Sequence, residues 1–279
     1  MKAGRKPEGK KEPLFFNFNL SPYTRKQYTK IYDVLLTNHS NIFQNTYELL
    51  FKSTNTVADE YRKEAEDLFW DLYSEDIDYS DYMESVEEFT AQRLDEQFLM
   101  HYQFELMSLS NLYQVFEQQL RKWLFEEMTN HHNEYLNQVE FILRDDKNED
   151  TFHEFYGNFR VINNLLTELA FTFEDFFEGE VIIVKSDIWR RIRECNLLSN
   201  TYKHGSGKAA SALYKIKPEY FKSITNTKLM DMYRTTNLER VLDIEKISFE
   251  KYCMAMKEFW EQTREYQSGV VKMEVTDGK

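Results

Sequence analysis

The sequence predicts an all-α protein, a multi-helix bundle of long antiparallel helices with at most one short extended segment near 181–184. Three observations carry that expectation. Between Pro22 and Gly157 there is neither a glycine nor a proline, whereas a sheet protein would need hairpin residues that tolerate positive φ. Apolar side chains recur at three- and four-residue spacing along much of the chain, which is helical periodicity. Aromatic residues make up 16% of the chain, 22 Phe and 18 Tyr among them, enough large side chains to fill a core and to oppose disorder.

Taken in order, the opening MKAGRKPEGKKEP is basic and has no apolar run behind it, so residues 1–20 are expected to form a flexible basic tail. Ser21-Pro22 has the form of an N-cap followed by a first helical residue. A helix should run from there to about Ser53, with Tyr28, Ile31, Leu35, Ile42, Tyr47 and Leu50 near one face. Thr56 then caps a second helix through Tyr73, and a break follows near Ser74 to Ser80. The repeat from Val86 through Phe98, Leu109 and Phe116 to Trp123 implies one very long helix, or two with a bend near Ser108-Ser110. Asp145 to Asp150 reads as a polar loop. Further helices are expected over Thr151–Phe177 and Ser248–Tyr266. Residues 21–279 should form a single helical domain, with a division near residue 145 as the alternative.

Charge narrows the function classes. The chain carries 35 basic and 48 acidic residues, a net charge of −13, which opposes wrapping around a nucleic acid. The charge is uneven, however. Between Lys185 and Lys222 nine Lys or Arg face three acids, which makes that segment +6 and leaves −19 for the remainder. A basic island on an acidic body points to a site for an anion. The mean hydropathy of −0.66 and the short aliphatic run Val181–Val184 oppose a membrane span, which needs ~20 apolar residues. Cys195 and Cys253 lie far apart without CxxC spacing. They oppose a disulfide scaffold or zinc site and fit a reducing cytoplasm.

Within the island, NTYKHGSGKA (Asn200 to Ala209) superficially resembles a phosphate-binding loop. Tyr202 stands where the first glycine of a Walker A loop belongs, and Ala209 where its hydroxyl belongs. The stretch reads better as a helix end. Ser186 is an N-cap and Gly205 a C′ glycine. Between them Ile188, Ile192, Cys195, Leu198, Ser199 and Tyr202 fall on one side at 100° per residue. Arg193, Asn196, Leu197, Asn200 and His204 gather opposite. That polar stripe is either a solvated face, with Lys203 and His204 complementing the helix dipole, or a place where Arg193, Asn200 and His204 meet a phosphate.

The pattern from Asn196 to Phe221, N-x-x-x-N-x-x-KHG-x-G-x-x-x-x-x-L-x-x-x-x-P-E-x-F, resembles a signature of uncharacterised bacterial all-helical proteins. Phe249 to Gln262, FEKYCMAMKEFWEQ, resembles their terminal helix. An Arg and an Asn upstream of a His near a helix end also resemble the HEPN superfamily of four- or five-helix domains, many of them metal-independent ribonucleases of toxin–antitoxin, phage-defence and CRISPR systems. On the alternative division, 146–279 would be the HEPN-like region. The resemblance implies His204 as general base on a ribose 2′-hydroxyl and Arg193 as stabiliser of the phosphate charge. Arg190, Asn196, Asn200, Lys203 and Lys208 would bind the RNA, and no cofactor or metal would be needed. The family motif spaces Arg and His by four to six residues, whereas ten separate Arg193 from His204. In one unbroken helix those Cα atoms would lie about 16 Å apart along the axis. A shared phosphate therefore requires an early helix end or a second copy of the chain.

Other constellations point less far. No Glu-x-x-His repeat of a di-iron bundle occurs. Asp150 and His153 sit at a loop edge, His131-His132 read as a solvated helix end, and His101 reads as a core or interface histidine. The expected protein is a cytoplasmic, bacterial, HEPN-like helical protein that binds or cleaves RNA in a toxin or defence setting. Its partners would be RNA, a second copy or another protein, and no membrane. The alternative is a non-enzymatic helical interaction module.

Overall fold

The computed structural model describes residues 11–70, 78–129, 159–175, 179–225, 227–233 and 240–274. The chain is mostly helical, but antiparallel strand pairs accompany the helices, so the all-α expectation is too strong. Two compact units emerge. The first is built from Met1–Tyr32, Leu112–Asn196 and Lys251–Lys279, and the second from Asp33–Asn111 and Leu197–Glu250. Among the described residues no helix is long and apolar enough to cross a membrane.

The helices follow their sequence signals closely. Helix α1 spans Pro22–Ile42, and Ser21 Oγ accepts the Thr24 N–H at 3.1 Å as an N-cap should. A π-helical turn, Phe43–Tyr47, leads into α2, Glu48–Lys52. Ser53 then leaves the helical region (φ −148°, ψ 54°) and stops it. Helix α3 covers Thr54–Trp70, so Thr56 lies inside its first turn and is not the expected cap, and α4 covers Tyr79–Thr129. Its 51 residues are continuous through Ser108-Ser110, so the one-helix alternative holds. Expectations on 71–77, the Asp145–Asp150 loop, Asp150, His131, His132 and His153 lie outside the described residues.

Strands enter where the sequence was read as tail or helix. Strand β1, Lys11–Asn19, lies in the expected flexible tail and buries Phe16 and Phe18, with Leu20 buried just beyond it. Helix α5 is described over Phe159–Leu169, and the expected start at Thr151 lies outside the described residues. Ala170 turns the backbone left-handed (φ 52°), and the chain continues as β2, Thr172–Asp175, paired with β3, Gly179–Ile182. The expected helix to Phe177 fails because Phe171 and Phe173 are both buried, a period of two that a strand satisfies and a helix does not. Helix α6 covers Asp187–His204, α7 Lys208–Ile216. A two-residue hairpin pair, β4 (Ser223–Ile224) and β5 (Thr227–Lys228), precedes the short α8, Leu229–Tyr233. Helix α9 spans Phe249–Gln262, and β6, Tyr266–Glu274, replaces the helix end expected there.

In the first unit β6 pairs antiparallel with β1 from Lys11↔Glu274 to Asn19↔Tyr266. Phe16 stands opposite Gly269, where a side chain would have to displace Leu169: a Cβ there would fall 2.6 Å from Leu169 Cδ2 and 3.1 Å from its carbonyl oxygen. The core is aromatic. Phe18 meets Phe171 edge-on at 4.7 Å, Phe116 meets Phe259 at 5.1 Å, and Trp123 meets Trp260 at 5.9 Å. Such tilted pairs add to area burial. The polar edges are served too: Trp123 Nε1 donates to the Asn19 carbonyl at 3.0 Å and the Tyr32 hydroxyl to Gln119 Oε1 at 2.5 Å. Glu194 is buried too, bonded by Lys251 Nζ at 2.9 Å and by the Tyr252 hydroxyl. Burial, with Glu194 nearby, pushes the Cys195 thiol well above its usual range, which keeps it inert.

The second unit packs Tyr102, Leu106 and Leu109 of α4 with Leu198, Leu213, Met230 and Leu242, all buried. Ser110 Oγ and Ser199 Oγ share a hydrogen bond at 3.1 Å, and the Tyr102 hydroxyl accepts the Leu242 N–H at 3.3 Å. A smaller cluster, Ala65 with Tyr82 and Val86, holds α3 against the start of α4.

Candidate functional site

The basic island resolves into a helix, a tight turn and a second helix. Ser186 Oγ accepts the Trp189 N–H at 3.1 Å and starts α6. At the other end Gly205 adopts φ 65° and its N–H returns to the Thr201 carbonyl at 2.9 Å, the C′ glycine geometry. Gly207 N–H bonds the Gly205 carbonyl at 2.8 Å, and α7 begins at Lys208 with no side chain capping its N-terminus. NTYKHGSGKA is thus a helix–turn–helix corner. Helix α6 does not end early, since it extends to His204.

The buried stripe of α6 matches expectation: Ile188, Ile192, Cys195, Leu198 and Ser199 are buried and Tyr202 is half-buried. The polar stripe divides. In the first unit Arg193 is exposed, while Arg190 is exposed and paired with Asp187 at 2.9 Å. Asn196 is a correction, because it is buried and hydrogen-bonded to the Tyr113 phenol instead of facing a ligand. In the second unit Asn200 is half-buried, and Lys203, His204 and Lys208 are exposed around the turn. Further along the same unit, Lys215 and Lys222 are exposed as well. Among the described residues none of Lys203, Lys208, Lys215 and Lys222 has an acidic partner, whereas Lys217 pairs with Glu219 at 3.4 Å.

A second polar cluster in this unit was not expected from the sequence. Glu105 of α4 is approached by two imidazoles. His39 Nε2 of α1 lies 3.1 Å from Glu105 Oε2, and His101 Nε2, one turn before Glu105, lies 3.5 Å from Oε1. His39 is stacked between two rings, Phe249 at 4.0 Å and 3° and Phe104 at 5.0 Å and 17°. Burial alone would raise the Glu105 carboxyl, but the two facing imidazoles outweigh it and hold it at about 2. His101 is buried, as read from sequence, and its Nε2 makes no full hydrogen bond. These groups line a cavity of about 610 Å³. His101 and Glu105, four apart on one helix, were a legible pair. His39, 66 residues from Glu105, was not.

Among the described residues no group of three His, Cys, Asp or Glu side chains is arranged to hold a metal ion. Comparison of the chain with protein-family models, with curated proteins and with solved structures gives no match.

Proposed function

We propose that the chain binds RNA through the α6–α7 corner of its second unit, with Lys203, His204 and Lys208 on the phosphates and Lys215 and Lys222 extending the contact. One observation carries this reading: a protein of net charge −13 leaves these lysines exposed without acidic partners among the described residues. Cations that satisfy no carboxylate of their own chain are available to phosphates, and binding releases the counterions condensed there. The uncapped N-terminus of α7 adds backbone N–H groups of the polarity that favours an anion.

The HEPN resemblance extends this to cleavage in a toxin or defence setting, with His204 as base and Arg193 as charge stabiliser. Since α6 runs unbroken between them, the two roles would come from two copies of the chain. Binding of a labelled single-stranded RNA between about 50 and 200 mM salt tests the first step. Four lysine contacts predict a logarithmic slope of about −3. Incubation with total RNA in EDTA, wild type beside His204→Ala, tests the second. A protein that neither binds nor cleaves would instead be the helical interaction module.

A further inference from the structure

The cavity beside Glu105 is chemically one-sided. Its lining combines the rings of Phe43, Phe51 and Phe249 with the carboxylates of Glu105, Glu245 and Glu250, and no Lys or Arg among the described residues faces it. Lys246, adjacent in sequence, is turned to Asp243 at 2.9 Å. An anionic guest would meet three carboxylates here, while the imidazoles of His39 and His101 already face Glu105. A cation gains twice, from the carboxylates and from the negative faces of aromatic rings. Its volume of about 610 Å³ is that of a small-molecule site.

We propose that this cavity binds an organic cation with an apolar body, an alkyl- or arylammonium compound. Glu105 sits at the inner wall, its two oxygens already facing His39 and His101, so it acts mainly through its charge. Glu245 and Glu250 are exposed and accept the ammonium N–H groups at the rim. Phe43 and Phe51 receive the apolar body. Phe249, fixed against the His39 ring at 4.0 Å, supplies a rigid wall. This site stands independently of RNA binding, since it uses none of the corner lysines.

The test is calorimetric titration of the full chain at about pH 7.5, where a primary amine is protonated. Three probes of matched size suffice: 2-phenylethylammonium, neutral 2-phenylethanol and anionic 3-phenylpropionate. The cation should bind at least tenfold tighter than either of the others. Glu245→Gln with Glu250→Gln, two exposed changes that leave the fold intact by circular dichroism, should weaken it at least fivefold. Phe249→Leu should weaken it severalfold. Equal affinity for the three probes, preference for the anion, or no saturable binding of the amine would overturn the proposal. So would one equivalent of Zn²⁺ that excludes the amine and is lost in His39→Ala, which would make the cavity a metal site.

Discussion

Each unit encloses a carboxylate, and the two are treated differently. Glu194 in the first unit is buried and held by Lys251 and Tyr252. Glu105 in the second unit meets two imidazoles and opens on a cavity. A carboxylate whose partners are a cation and a hydroxyl of its own core holds a fold together. One whose partners are titratable rings stands at a cavity wall, within reach of solvent and solutes. The first unit is built on the β1–β6 pair and edge-on aromatic pairs. The second carries the cavity beside Glu105 and the corner lysines, which have no acidic partner among the described residues.

The largest effect should come from removing the buried carboxylate. Glu194→Ala removes the acceptor of the buried Tyr252 hydroxyl and a counter-charge of Lys251, at a cost of about 3 kcal/mol in urea denaturation. Acid should then separate the two carboxylates. Glu105 is held at about 2, below the ordinary glutamate value of 4.5. Its contribution is therefore complete above about pH 4.5 and lost as the pH falls towards 2. That loss, of order 2–3 kcal/mol, should vanish in Glu105→Gln.

Packing sharpens the contrast further. Gly269→Ala must displace Leu169 and should cost about 1–2 kcal/mol. Ser40→Leu, which extends into the second unit's cavity, should change stability by less than about 0.5 kcal/mol. If Ser40→Leu costs as much as Gly269→Ala, the second unit is as tightly filled as the first. Smallest of all, Arg190→Ala removes an exposed ion pair and should move the denaturation midpoint by no more than about 0.5 kcal/mol.

The helices were legible because their signals are local. Ser21-Pro22, Ser186 and Gly205 mark ends by their own backbone chemistry, and the structure places caps at all three. The strands β1 and β6 depend on each other across nearly the whole chain. Phe16, Phe18 and Leu20 do alternate, but the basic run before them dominated the reading. Among the described side chains of β6 the buried positions are Gln267, Gly269 and Val271, and of these only Val271 is an apolar side chain that pattern reading would notice. The corner lysines were legible as a charge imbalance within one segment. Asn196 was misplaced because helical phase alone does not show that Tyr113 faces it. His39 and Glu105 meet only after folding, so no spacing rule could have joined them.

The central claim is that the corner lysines of the second unit, which have no acidic partner among the described residues, are the contact with RNA. Anisotropy of a labelled single-stranded RNA at about 100 mM salt, wild type beside Lys203→Glu with Lys208→Glu, tests it most directly. The account predicts saturable wild-type binding that weakens at least tenfold in the double variant and falls steeply with added salt. Unchanged affinity in the double variant, or no binding by the wild type at low salt, would contradict it.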